Sequence, residues 1–142
     1  MLEPPNLAEA RIIVAVREHY GLPATTLAFL PLGQDVAAWT YRVRAAGGDY
    51  FLKLRNGAPN QTGLQVPRHL ADHGAGYAVA PLRTRTGELW CPADGFAVTL
   101  YPFIEGATGM ARGMDERHWV AFGAALRELH ATPVGPALAP FV

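Results

Sequence analysis

Apolar positions recur at helical spacing between residues 6 and 20. Leu7, Ala10, Ile13, Val14, Val16 and Tyr20 make one broad face, while Glu9, Arg11, Arg17 and Glu18 supply charge. Asn6 and Glu9 stand at capping-box spacing, and Gly21 with Pro23 after it marks the stop. From Thr25 the period changes to that of strands. Residues 25–32 predict a first strand, closed by the turn Gly33-Gln34-Asp35, and residues 38–45, with Trp39, Thr40, Tyr41 and Val43, predict a second. Gly47-Gly48 then reads as a two-residue hairpin turn into a third strand over 50–55. With those glycines as the loop, Ala46 pairs with Asp49, so Arg42 faces Lys53, Arg44 faces Phe51, Val43 faces Leu52 and Tyr41 faces Leu54. One face is then the apolar set Tyr41, Val43, Leu52 and Leu54; the other carries Arg42, Phe51 and Lys53. Like charges directly opposite are unfavourable unless solvated or bridged by an anion, so this register marks the lysine face for an anionic ligand.

Residues 60–73 predict a helix that Asn60 caps, Gly74 ends and Pro67 kinks or restarts. Residues 77–84 and 96–101 read as two more strands, with a short segment 88–91 and a turn Pro92-Ala93-Asp94-Gly95 between them. A Gly/Ala-rich connector follows Glu105-Gly106. Asp115 then caps a helix in which Trp119, Phe122, Leu126 and Leu129 share a face, and the tail 132–142, with three prolines, has no regular pattern. Helix, three strands, helix, two or three strands, connector and helix is the order of an α+β domain with an antiparallel sheet.

The chain has 142 residues, half of them apolar and 17% charged, which fits one folded domain rather than long disorder. Twelve basic and twelve acidic residues balance. That leaves no electrostatic footprint for nucleic acid or an anionic membrane, and no apolar run approaches a membrane span. A single cysteine, Cys91, excludes an internal disulfide and a thiolate metal cluster and fits a reducing cytoplasm. Lys53 is the one lysine among twelve basic residues. It is a compact ammonium in an apolar strand, suited to sliding between phosphate oxygens as an arginine fork is not. Compositional bias toward arginine plus one solvent-facing lysine is the plain alternative.

The segments Phe51-Leu52-Lys53-Leu54-Arg55, Val98-Thr99-Leu100-Tyr101-Pro102-Phe103-Ile104-Glu105-Gly106 and Phe122-Gly123-Ala124-Ala125-Leu126-Arg127-Glu128-Leu129-His130 decide between these readings. In this order they resemble the aminoglycoside phosphotransferase and choline kinase family, of protein-kinase-like fold, and most of all its spectinomycin branch. The resemblance implies a nucleotide-binding N-terminal lobe over 1–101 with a five-stranded antiparallel sheet and flanking helices. It further implies a hinge and connector over 102–114, and the start of a second lobe over 115–142, helix 115–131 and tail. The implied cofactor is ATP, with magnesium in the parent enzyme. Lys53 would meet the α- and β-phosphates, Phe51 would roof the adenine, and Tyr101 would stand beside it. Pro102 would offer its carbonyl and Ile104 its N–H to the base, and a proline keeps the carbonyl that position needs. Gly33, Gln34 and Asp35 would approach the phosphates through backbone amides, with one glycine where protein kinases have three.

Two departures qualify the resemblance. The family's helix after the lysine strand carries a glutamate that pairs with the lysine, but no acid occurs between Asp49 and Asp72. The matching position reads Gln61, with Gln65 one turn on. A glutamine accepts a hydrogen bond without neutralising the ammonium. The catalytic loop and the metal-binding aspartate would lie beyond the last helix, so no catalytic residue and no metal ligand is named. The expectation is an ATP-binding lobe that turns over little or nothing by itself. Its rivals are a non-catalytic module dimerising through Trp119, Phe122, Leu126 and Leu129, or the lobe of a kinase acting on a small metabolite such as choline, homoserine or a fructosamine. His69 and His73 have metal-pair spacing but no third ligand in sequence, and read as a solvated helix face.

Overall fold

In the computed structural model, which describes residues 3–32, 35 and 37–141, five strands form one antiparallel sheet. They are β1 (Ala24–Leu30), β2 (Ala38–Ala45), β3 (Gly48–Asn56), β4 (Cys91–Ala93) and β5 (Phe96–Pro102). Their order is β1-β2-β3-β5-β4, so β3 is the central strand. The helices are α1 (Glu9–Ala15), α2 (Gln61–Asp72), α3 (Gly109–Arg112) and α4 (Glu116–Ala131). The chain divides into two units, Met1–Phe103 and Ile104–Val142, and the sheet belongs to the first.

One face of the sheet is the core. Tyr41, Val43, Leu52, Leu54, Val98 and Leu100 are buried there with Ile12, Ala15, Val16 and Tyr20. Burying branched side chains of this size is the main favourable term of folding, at roughly 1.5–3 kcal/mol each. The buried stripe on the first helix differs from the expected one: Ile12 and Ala15 are inside, while Val14 is exposed. A wide π turn at Val16–Tyr20 continues α1, and the Tyr20 hydroxyl donates to the Val98 carbonyl at 3.2 Å. Burial pushes the Tyr20 phenol well above its ordinary pKa. Gly21 ends the turn in the left-handed region at φ 67°. The Asn6–Glu9 capping box does not form; the N-cap is Ala8, without a side-chain bond.

The hairpin register also departs from expectation. Ala45 pairs with Gly48, so Ala46-Gly47 is the loop, and Lys53 faces Thr40 while Arg42 faces Phe51. Val43 faces Tyr50 and Tyr41 faces Leu52. The slip is by two residues. An even slip keeps every side chain on its expected face. It also removes the Arg42–Lys53 opposition: Arg42 instead pairs with Asp49, and its guanidinium lies over the Phe103 ring at 4.1 Å.

Residues 77–84 are not a strand. Buried Pro81 has no N–H to give a ladder, and β5 already has β3 on one edge and the three-residue β4 on the other. Leu82 donates to the Leu100 carbonyl at 2.7 Å, beyond the end of β4. The strand beside β5 is instead β4, Cys91–Ala93, part of which the sequence assigned to a turn.

Helix α2 is continuous through Pro67, which neither restarts it nor ends it, because only one internal donor is lost. Asn60 accepts from the Thr62 N–H at 3.0 Å, and Gly74, at φ 88°, lets Ala75 bond back to Leu70 at 3.0 Å. The Asp72 carboxylate ties α2 to the following segment, pairing with Arg68 at 2.6 Å and Arg83 at 2.8 Å. In the second unit Asp115 caps α4, accepting from the His118 N–H at 3.0 Å. Trp119, Phe122, Leu126 and Leu129 are exposed along α4, with Trp119 at 58%. Among the described residues no helix is long and apolar enough to cross a membrane.

Candidate nucleotide site

Alternation along β3 decides which side chains meet. Leu52 and Leu54 are fully buried in the core, so Phe51, Lys53 and Arg55 project from the opposite face. Each has neighbours on both sides. Phe51 lies between Arg42 and Tyr101, Lys53 between Thr40 and Thr99, and Arg55 between Ala38 and Ala97. The small flanking residues are buried and leave the two long cationic stems uncrowded. The Phe51 and Tyr101 rings meet edge to face with centroids 6.3 Å apart. Tyr101 is partly buried, which raises its phenol pKa. Pro102 ends β5 and is exposed; Ile104, 62% exposed, opens the second unit.

Beyond the aromatic pair the face becomes cationic. The Asp35 carboxylate lies between the two cations, with Oδ2 2.7 Å from Arg55 Nη1 and 3.4 Å from Lys53 Nζ. Its other oxygen accepts the Ala37 N–H at 3.1 Å. That backbone bond, then Lys53 and Arg55, hold the Asp35 pKa below the usual carboxylate range against the opposing effect of burial. The Lys53 side chain is 38% exposed, so the ammonium reaches solvent rather than the core.

The expected site residues are thus only partly gathered. Phe51, Lys53 and Tyr101 share one face, and Asp35 reaches it through its side chain. Gly33 and Gln34 lie outside the described residues. Gln61 is the exposed first residue of α2, and among the described residues it makes no hydrogen bond to Lys53. The carboxylate beside Lys53 comes instead from Asp35, three residues before β2. Sequence reasoning missed Arg55, although a basic residue two places after a strand lysine shares its face by parity alone. His69 and His73 stack with ring centroids 4.0 Å apart. Among the described residues no group of three or more His, Cys, Asp or Glu side chains could hold a metal ion, so a ligand set for magnesium is not found there. An adenine nucleotide fits the face better, because an aromatic ring and two cations follow one another along β3, with Tyr101 of β5 beside the ring.

Comparison with known proteins gives the family. Residues 28–141 match the model of the phosphotransferase enzyme family, APH. The chain is 30% identical to protein StrN of Streptomyces griseus, covering 92% of this chain and 42% of that protein. The structure of spectinomycin phosphotransferase APH(9)-Ia in complex with ADP and spectinomycin superposes with a TM-score of 0.81 at 29% identity, over 93% of this chain and 40% of that one. The AMP-bound complex of the same enzyme gives 0.77 at 27% identity, over 92% and 39%. The chain therefore spans about two fifths of the length of these relatives. Its five-stranded antiparallel sheet with flanking helices is the kinase-like fold they share, and the chain belongs to the phosphotransferase enzyme family.

Proposed function

We propose that residues 1–101 are the ATP-binding lobe of an aminoglycoside-type phosphotransferase, that 102–114 form its hinge and connector, and that 115–142 begin a second lobe. Phe51 roofs the adenine, Tyr101 stands beside it, and Lys53 takes the α- and β-phosphates. The Pro102 carbonyl and Ile104 N–H are assigned to the base, and Gly33, Gln34 and Asp35 to the phosphates. The observation that carries this reading is the placement of Phe51 and Lys53 on one face of β3, with Tyr101 across from Phe51. The similar enzyme bound to ADP and spectinomycin supports a nucleotide ligand. ATP supplies the γ-phosphoryl group for a substrate hydroxyl; the contribution of these residues is to hold and orient its base and phosphates.

Isothermal titration with ATP and magnesium tests the reading. Lys53→Ala should weaken binding about tenfold or more, as loss of a charge-assisted contact does. An unchanged affinity would remove Lys53 from the site.

The exposed apolar side chains of α4 favour a second reading, in which this helix pairs with a second copy. A tight dimer in sedimentation with no thermal shift on adding nucleotide would support it over the first.

A further inference from the structure

We propose that Arg55 is a second phosphate-binding cation beside Lys53, and that the Asp35 carboxylate stands in for a phosphate oxygen between them until a nucleotide displaces it. This rests on the nucleotide reading above. One carboxylate oxygen, Asp35 Oδ2, is met by both Arg55 Nη1 at 2.7 Å and Lys53 Nζ at 3.4 Å. Two cations converging on one anionic oxygen is the arrangement a phosphoryl oxygen requires, and the arginine fork is well matched to it.

The spacing along β3 supports the same assignment. Successive same-face residues on a strand are about 6.7 Å apart. Phe51, Lys53 and Arg55 therefore make a ladder from the aromatic pair outward, and Arg55 stands one step farther from the adenine end than Lys53. An arginine there meets the distal phosphates. Asp35, Lys53 and Arg55 are each about one third exposed, at 36%, 38% and 35%. Ion pairs so exposed hold weakly, and a polyphosphate of higher charge outcompetes a single carboxylate at little desolvation cost.

The test is titration of wild type, Arg55→Gln, Arg55→Lys and Asp35→Asn with inorganic tripolyphosphate, adenosine, AMP, ADP and ATP, with folding checked by thermal melts. Arg55→Gln should bind tripolyphosphate and ATP about tenfold more weakly, ADP less so, and AMP and adenosine as wild type does. Arg55→Lys should recover part of the loss. Asp35→Asn should bind tripolyphosphate and ATP several-fold more tightly. If Arg55→Gln does not fold, Arg55→Lys and Asp35→Asn decide alone. Equal penalties from AMP to ATP would make Arg55 merely structural, and weaker binding by Asp35→Asn would make Asp35 a support for Lys53 rather than a competitor; either overturns the proposal. ATP binding that needs Lys53 but ignores Arg55 refutes this inference and leaves the nucleotide reading standing. Tripolyphosphate binding with the expected pattern, and no gain from adenine, refutes the nucleotide reading and leaves the two-cation clamp. If wild type binds neither ATP nor tripolyphosphate, both fall.

Discussion

Replacing Leu52 by alanine tests the alternation on which the site depends. Leu52 is fully buried between Tyr41 on β2 and Leu100 on β5, both themselves inside the core. The change removes three carbon atoms, worth about 0.8 kcal/mol each in transfer, and leaves a cavity that strands held on both sides fill poorly. The expected loss is about 3–4 kcal/mol, a large share of the roughly 5–15 kcal/mol that holds a domain together. Lys53→Met, one residue along, should cost less than about 1 kcal/mol, because its ion pair is more than a third exposed and screened by solvent. Urea unfolding followed by tryptophan fluorescence reads both variants. Trp39 is a suitable reporter, half-buried on β2 with its ring edge to face with Phe96 at 5.8 Å. Leu52→Ala should lower the midpoint by about 1–3 M at an ordinary urea slope. Lys53→Met should move it far less. The reverse order, a small loss at Leu52 and a large one at Lys53, would put the lysine on the core side and end the case for a ligand face.

Two further outcomes follow from the carboxylates and the cysteine. Asp72, held by Arg68 and then Arg83, and Asp35, held by the Ala37 N–H and then its cations, both have folded-state pKa values below the ordinary aspartate value of about 3.9. Their stabilisation is present above that value and lost as pH falls through the lower folded one, so the melting temperature should drop as pH falls below about 4. Asp72→Asn should melt lower than wild type at pH 7 and converge with it in acid; parallel curves would count against the pairing. Cys91 is buried, which pushes its thiol up to about 12. A thiol-specific chromogenic reagent at pH 8 should therefore label it slowly in the native chain and fast in urea, and rapid native labelling would contradict that burial.

The strand half of the site was legible in the sequence, and its charge half was not. Strand alternation is local: Leu52, Lys53 and Leu54 declare their faces to one another whatever strand lies beside them. The hairpin register could thus slip by two, from a Gly47-Gly48 loop to Ala46-Gly47, without moving Phe51 or Lys53 off the ligand face. Loop choice depends on the twist and on backbone pairing along the whole ladder, which two glycines in a row leave open. The failure at 77–84 has a different origin. Its composition suits a strand, but β4 covers the outer edge of β5 as far as Val98, and on the short stretch left Pro81 has no N–H to give, so the segment meets β5 through the Leu82–Leu100 bond without a ladder. The charge partner of Lys53 is less visible still. The absence of any acid between Asp49 and Asp72 is plain in the chain, and it argues for a weakly held lysine only if the partner must come from α2. Asp35 precedes Lys53 by a turn and a whole strand, and an ion pair across that separation leaves no periodic trace. What brings it in is the antiparallel pairing of β2 with β3, which sets Ala38, just past the turn, opposite Arg55. Asp35, three residues before Ala38, is thereby brought to the outer end of the Phe51–Lys53–Arg55 ladder. Topology, rather than the composition of the helix, therefore determines which carboxylate the lysine meets.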